Sequence, residues 1–365
     1  MDRKLSRYLR KRGATPEEID RAVADDAVTL LTLDRLLLPG RRYLDGYGVA
    51  ERSGVSNEVA TLLWRALGFP DVPGGETLFT DESVEAVRRI TQRLGGPIFS
   101  PGEDAAALVA QVRAAGAGLS RVAEALSDQV VESVLTAREM GLDDEAIAAL
   151  TIEQLDWAQV AWLNDYALRV QVRAAVRRKL LTPQLESGEI PSLAVGFVDL
   201  VGYTAISQEL DGRELAALVA RFESVTYDTV AQLGARLVKT IGDEVMFVTE
   251  DPEVGLRVAL ALTARTGSDD VLPRARAGLA FGPVLAREGD YYGSVVNLAH
   301  RLVELARPSS AIVSAELAVA LDGMSQFAFQ RLRSRRIRGI GKVEIFAASA
   351  NRDVQAPDAF EGDSH

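Results

Sequence analysis

The spacing of apolar residues changes partway along this chain. Up to about residue 181 they recur at helical intervals, interrupted by short polar or glycine-containing pieces. Thr15-Pro16-Glu17-Glu18 has the form of a helix start, with a cap, a proline at the first helical position and acids in the first turn. Gly95-Gly96-Pro97 and Pro101-Gly102 break the pattern, and a helical region rich in alanine and leucine then runs from Asp104 to Leu181. In its last part Leu168, Val172, Val176 and Leu180 recur every four residues as an apolar stripe, with Arg169, Arg173 and Arg177 as a basic stripe on a neighbouring face. Pro183 and Pro191 end or kink that helix, so residues 166–190 read as a connector between a helical domain, 1–165, and a second domain, 191–350.

Beyond the connector the period shifts. Leu193–Val198 reads as a buried strand, Arg213–Leu233 as a long helix, and Pro252–Ala264 as another. Arg274–Phe281 and Pro283–Arg287 read as strands, Gly293–Leu305 as a helix, and Ser309–Val313, Phe327–Arg333 and Glu344–Ala347 as short strands. This order predicts an α/β (α+β) layer, helices over a mostly antiparallel sheet. The segment 351–365 is polar and acidic and is expected to be a disordered tail.

Between the first long helix and the second lies Arg236-Leu-Val-Lys-Thr-Ile-Gly-Asp-Glu-Val-Met-Phe247, two short apolar runs flanking Gly242-Asp243. It reads as a hairpin that lifts a carboxylate onto its tip. Asp199 ends the apolar strand Leu193–Val198, and a second carboxylate there could complete a two-cation clamp of the kind that activates an oxygen and neutralises a phosphate. Alone, either acid would serve as well as a turn or cap residue.

Composition narrows the chemistry. A length of 365 residues suits about two domains, and no apolar run reaches the roughly 18 residues that span a bilayer. The charged start, Met1-Asp-Arg-Lys, is unlike a signal peptide, so a cytoplasmic location is expected. With no cysteine, and only His300 and His365 as histidines, thiolate and multi-histidine metal sites are excluded. A metal would have to be held by carboxylates, which favours Mg²⁺ or Mn²⁺. The chain lacks a phosphate-binding glycine–lysine loop and a dinucleotide glycine fingerprint. Its net charge of -11 argues against nucleic acid as a partner.

The segment Val49–Ala60, with Ser53-Gly54-Val55-Ser56 at its centre, followed by Trp64–Pro70 and Phe79–Ile90, resembles the winged helix-turn-helix of the MerR family. The helix that would read bases, Asn57–Leu67, carries only Arg65 against Glu58. A reused packing scaffold is therefore favoured over DNA binding.

Three further segments, Phe197-Val-Asp-Leu-Val-Gly-Tyr-Thr204, Lys239-Thr-Ile-Gly-Asp-Glu-Val-Met246 and Asp290-Tyr-Tyr-Gly-Ser-Val-Val-Asn-Leu-Ala-His-Arg301, resemble the signature segments of class III nucleotidyl cyclases. The resemblance covers about Leu193 to Ala348. More loosely, the helical half resembles the regulatory half of actinobacterial adenylyl cyclases, the pH-responsive mycobacterial type included. It implies a ferredoxin-like, palm-type catalytic domain preceded by an all-α regulatory domain with a helix-turn-helix-like segment. It assigns Asp199 and Asp243 to two divalent ions, Lys239 and Asp290 to adenine selection, and Asn297 and Arg301 to the transition state. Arg338, and by position Arg287, would contact polyphosphate.

Those roles fit the residue types. An amine can donate to N1 of adenine and a carboxylate can accept from its N6 amine, whereas guanine presents the opposite polarity. The implied reaction is cyclisation of ATP to 3′,5′-cyclic AMP and pyrophosphate. The implied assembly is a homodimer with shared sites, because the family takes the metal aspartates from one subunit and the purine and transition-state residues from the other. The helical half would then bias the dimer between active and inactive arrangements. Two rival readings are a diguanylate-cyclase-like domain, since Gly242-Asp243-Glu244 echoes its hairpin motif, and a MerR-like regulator with a nucleotide-sensing domain.

Overall fold

The computed structural model describes residues 1–73, 75–92, 104–181 and 190–351. The expected breaks at Gly95–Pro97 and Pro101–Gly102, the stop at Pro183 and the tail after Asn351 lie outside the described residues. The chain falls into two units, Met1–Lys179 and Leu180–His365.

The first unit is helical: α1 (Arg3–Lys11), α2 (Pro16–Ala24), α3 (Val28–Leu37), α4 (Gly46–Ser53), α5 (Asn57–Ala66), α6 (Asp81–Gln92), α7 (Asp104–Glu139), α8 (Asp144–Gln154) and α9 (Trp157–Leu181). The capping box forms as the sequence predicts. Glu18 donates its backbone N–H to the Thr15 hydroxyl at 3.2 Å, and its carboxylate accepts from the Thr15 N–H at 2.8 Å. Leu5, Leu9, Ile19, Val28 and Ala148 form one small core, and Leu44, Val49, Phe79 and Val84 another. Gly54, at φ 78°, ends α4, and Ser56 caps α5, so a tight turn does separate the two short helices. Arg65 on α5 is held by Asp71 through two hydrogen bonds of 2.6 and 2.5 Å.

The helical stretch from Asp104 to Leu181 is three helices. Gly141, at φ 82°, stops α7, Asp143 caps α8 by accepting from the Ala146 N–H at 2.8 Å, and Asp156 caps α9.

The second unit holds a seven-stranded sheet in the order β2-β3-β1-β4-β7-β11-β8. Its strands are β1 (Ser192–Leu200), β2 (Arg236–Ile241), β3 (Glu244–Thr249), β4 (Ala275–Pro283), β7 (Ala311–Ser314), β8 (Phe327–Arg331) and β11 (Ile345–Ala350). Every pairing in this sheet is antiparallel except that of β4 with β7. Two hairpins stand apart, β5 (Leu285–Arg287) with β6 (Asp290–Tyr292), and β9 (Arg335–Ile337) with β10 (Gly341–Val343). The helices are α10 (Tyr203–Glu209), α11 (Gly212–Gln232), α12 (Pro252–Ser268), α13 (Ser294–Leu305) and α14 (Ala315–Ala320).

The central strands are buried on both faces, which is why Leu193–Val198 and Val245–Val248 read as unbroken apolar runs. One face packs with Phe222, Leu256, Leu262 and Leu317, the other with Val295, Ala299 and Val303 of α13. Two glycines make this packing possible. A Cβ at Gly278 would lie 2.2 Å from the backbone nitrogen of Val303, so α13 lies directly on β4. A Cβ at Gly196 would lie 2.2 Å from the ring of Phe247.

Candidate active site

The carboxylate pair is set by register. Asp199, near the end of β1, lies opposite Glu244 on β3 and Arg276 on β4. Asp243 occupies the two-residue loop joining β2 to β3, entered through Gly242 at φ 63°. Its carbonyl accepts from the Leu200 N–H at 3.2 Å, tying the hairpin tip to the end of β1. The Asp199 and Asp243 side chains thereby adjoin. Burial first, and then the neighbouring Asp199 carboxylate, push the Asp243 carboxyl above its ordinary range.

Glu244 extends the same cluster, with its side chain 13% exposed. Burial, followed by the charges of Asp199, Asp243 and Glu304, raises its carboxyl to about 7. His300 reaches it, Nε2 to Oε2 at 3.4 Å, with its ring edge-on to Phe197. The opposing positive charge is Arg276, whose Nε and Nη2 lie 2.8 and 2.6 Å from Asp199 Oδ2. Sequence reasoning missed Arg276. The available signal was a charged side chain in Arg274–Phe281 at a position that alternation makes a neighbour of the Asp199 strand end.

Lys239 and Asp290 come together: Nζ donates to Oδ2 at 2.5 Å, both side chains being about one-third exposed. A register shift between Leu237 and Lys239 bulges β2 just before the lysine, which is how an edge strand re-aims a side chain. Asp290 is fixed further by accepting from the Tyr291 N–H at 2.8 Å, and Arg236 lies over the Tyr291 ring. Asn297 and Arg301 are four apart on the exposed face of α13, and Arg301 donates to Glu304 at 2.8 and 3.1 Å. Neither makes a hydrogen bond or ion pair with Asp199 or Asp243 among the described residues. Arg338 is exposed in the turn between β9 and β10, and Arg287 is exposed on β5 beside Glu288. The chain thus forms two clusters, the carboxylates with Arg276 and the Lys239–Asp290 pair. It leaves Asn297, Arg301, Arg287 and Arg338 outside both.

The carboxylate cluster fits a hard divalent cation. Three acids, Asp199, Asp243 and Glu244, lie around the guanidinium of Arg276, and burial first, then the neighbouring carboxylate charges, raises the Asp243 and Glu244 carboxyls. Among the described residues no group of three or more histidines, cysteines or acids is placed to hold a metal ion, so the pair Asp199 and Asp243 would be the protein's whole contribution. Two carboxylates with open positions suit Mg²⁺ or Mn²⁺, which complete their shells with water and substrate phosphate.

A mixed sheet flanked by helices, with paired carboxylates at a strand end and a neighbouring hairpin, is an arrangement that suits nucleotide-processing enzymes. The comparisons narrow it. Residues 185–350 match the adenylate and guanylate cyclase catalytic domain. An adenylate cyclase of Glutamicibacter nicotianae is 32% identical over 94% of this chain and 86% of its own length. One from Streptomyces coelicolor is 32% identical over 86% of this chain and 88% of its own. A pH-sensitive adenylate cyclase of Mycobacterium tuberculosis is 28% identical over 94% of this chain and 86% of its own. The catalytic core of a rhodopsin–guanylyl cyclase with converted specificity, in complex with ATPαS, is 23% identical over 44% of this chain and 97% of that chain, with a TM-score of 0.42. The chain belongs to the adenylate and guanylate cyclase family of enzymes, and its similarity to actinobacterial adenylate cyclases runs through the helical half as well. No helix among the described residues is long and apolar enough to cross a membrane.

Proposed function

We propose that this chain converts ATP to 3′,5′-cyclic AMP and pyrophosphate, at sites shared between two copies. The observation that carries the reading is the junction of the half-buried Asp199 and Asp243 at one strand end. Two Mg²⁺ or Mn²⁺ ions held there would lower the pKa of the ribose 3′-hydroxyl and neutralise charge on the polyphosphate. In the reaction the 3′-oxygen bonds to the α-phosphorus, the bond from that phosphorus to the α–β bridging oxygen breaks, pyrophosphate leaves, and the hydroxyl proton passes to solvent.

The chain's own residues supply positioning and fixed charge. Asp199 and Asp243 would hold the cations, which would supply charge neutralisation at the polyphosphate. Arg276, paired with Asp199 without substrate, is placed to turn toward phosphate oxygens once that carboxylate is engaged. Lys239 and Asp290, bonded to each other, exchange that bond for N1 and N6 of adenine, which satisfies both groups; guanine would leave both unpaired. Asn297 would orient the ribose and Arg301, released from Glu304, would stabilise charge building on the α-phosphate.

The two-copy arrangement is supported by α13, whose Asn297 and Arg301 are exposed and, among the described residues, make no hydrogen bond or ion pair with Asp199 or Asp243 of their own chain. A second copy related by a twofold axis can offer both residues to those carboxylates and receive the same in return. In this reading residues 1–165 form a regulatory domain, 166–190 the connector that carries its state and 191–350 the catalytic domain.

Product analysis tests the reaction. Purified full-length protein given ATP with Mn²⁺ should yield 3′,5′-cyclic AMP and one equivalent of pyrophosphate, with GTP a poor substrate. Cyclic GMP or a cyclic dinucleotide as main product would overturn the assignment of Lys239 and Asp290.

A further inference from the structure

Two long helices of the first unit carry extended stretches in which no described residue is buried, although the start of α7 packs on α5 through Val112. In α9 no residue from Trp157 to Lys179 is buried, and its exposed side chains include Trp162, Leu163, Tyr166, Leu168, Val170, Val172 and Val176. In α7 the stretch from Leu119 to Glu139 is likewise free of buried residues, with Leu119, Val131 and Leu135 each more than half exposed. Helices gain most of their stability in proteins from packing an apolar face, so two such surfaces call for a partner.

Their charges say which partner. On α7, Glu124, Asp128 and Glu132 recur every four residues as an exposed acidic stripe, with Val131 and Leu135 beside it. On α9, Arg169, Arg173 and Arg177 recur at the same interval as an exposed basic stripe, with Leu168, Val172 and Val176 beside it. Both stripes rise over eight residues, about 12 Å along a helix. Among the described residues no ion pair joins the two stripes: all six side chains are exposed, and Arg169 turns to Asp165 on its own helix at 2.6 Å. Two surfaces of equal pitch and opposite sign on one molecule complement each other between copies.

We propose that α7 of one copy docks against α9 of a second copy, with the Glu124–Asp128–Glu132 stripe lying along the Arg169–Arg173–Arg177 stripe and the flanking apolar residues buried between them. The contact occurs twice about a twofold axis, and it is separate from the interface that shares the catalytic residues. It makes the helical half a dimer in its own right, so a change in this contact reaches the start of the catalytic half through both α9 helices. The central residues, Asp128 and Arg173, face each other whether the helices run parallel or antiparallel; the outer residues distinguish the two.

The absence of cysteine from the chain makes the test direct. Full-length Asp128→Cys and full-length Arg173→Cys are mixed and treated with a short bismaleimide. A covalent dimer is expected from the mixture and not from either variant alone. A cross-linked dimer missing from the mixture, or equally abundant in each variant alone, overturns the proposal. Charge exchange provides a second measurement. Arg169→Glu/Arg173→Glu/Arg177→Glu and Glu124→Lys/Asp128→Lys/Glu132→Lys should each weaken self-association about tenfold or more, measured by sedimentation. Mixing the two should restore it, because each then supplies the sign the other has lost. Self-association unchanged by either triple variant, or not restored by mixing, contradicts the contact. Shared catalysis is read separately, from activity regained on mixing Asp199→Ala with Arg301→Ala. Failure of one interface is thus distinguishable from failure of the other.

Discussion

The sheet of the second unit and the long helices of the first handle apolar surface in opposite ways. Val195, Val198, Phe247, Ala277 and Leu279 are fully buried within a single copy, so the catalytic scaffold closes its own core. Leu168 on α9, 63% exposed, and Leu135 on α7, 53% exposed, have no such cover. A self-contained sheet can hold carboxylates in fixed register, as Asp199 and Asp243 require. A helical half whose exposed helices pack on a second copy, as proposed, would report on that copy's arrangement. The apolar surface is closed where the carboxylates are held and open along the long helices.

The largest expected effect is on activity. Asp243→Asn should lower turnover about 1,000-fold or more, since one anchor of the polyphosphate is lost. The same change should raise the melting temperature in EDTA, because it removes one of two adjoining half-buried carboxylates. A loss of both activity and stability would mean that the carboxylate cluster serves the fold. Leu279→Ala should cost about 2–5 kcal/mol in denaturant unfolding at any protein concentration. Leu168→Ala should stay within about 0.5 kcal/mol in dilute protein and diverge only as concentration rises. Equal costs for the two would erase the contrast between the units. Gly278→Ala should destabilise by about 1–3 kcal/mol and lower activity, because the added Cβ meets the backbone of Val303 and pushes α13 off the sheet.

A smaller effect concerns pH. Folding raises the Glu244 carboxyl from 4.5 to about 7. Its contribution to stability is therefore complete below about 4.5 and lost as pH rises through about 7. Glu244→Gln should melt progressively higher than the unsubstituted protein between pH 5 and 8 in EDTA. Parallel melting profiles would refute the buried, uncompensated carboxylate.

How much of this could be read beforehand varies with the physics. The Gly242-Asp243 hairpin was legible because strands buried on both faces write unbroken apolar runs and the glycine marks the turn. The α13 face was legible because Asn297 and Arg301 are four apart. The meeting of Asp199 with Asp243 depends on strand pairing between residues 44 positions apart in the chain. No local pattern carries that, and the resemblance to known cyclases supplied it. Arg276 escaped for a related reason: its partner is set by the register of β1 with β4. In the helical half, the alanine-rich pattern hid the breaks at Gly141 and Asp156, although the glycine and the cap residues were in view. The exposure of α9 was hidden too, since an apolar stripe looks the same whether it packs within a chain or between chains.

The most direct measurement mixes two inactive full-length proteins, Asp199→Ala and Arg301→Ala, in the presence of ATP and Mn²⁺. The account predicts recovered cyclic AMP formation, up to about a quarter of the unsubstituted rate, because random pairing makes half the dimers mixed and each mixed dimer holds one intact site of two. A mixture as inactive as its components, with mixed dimers shown to form, would contradict the shared site.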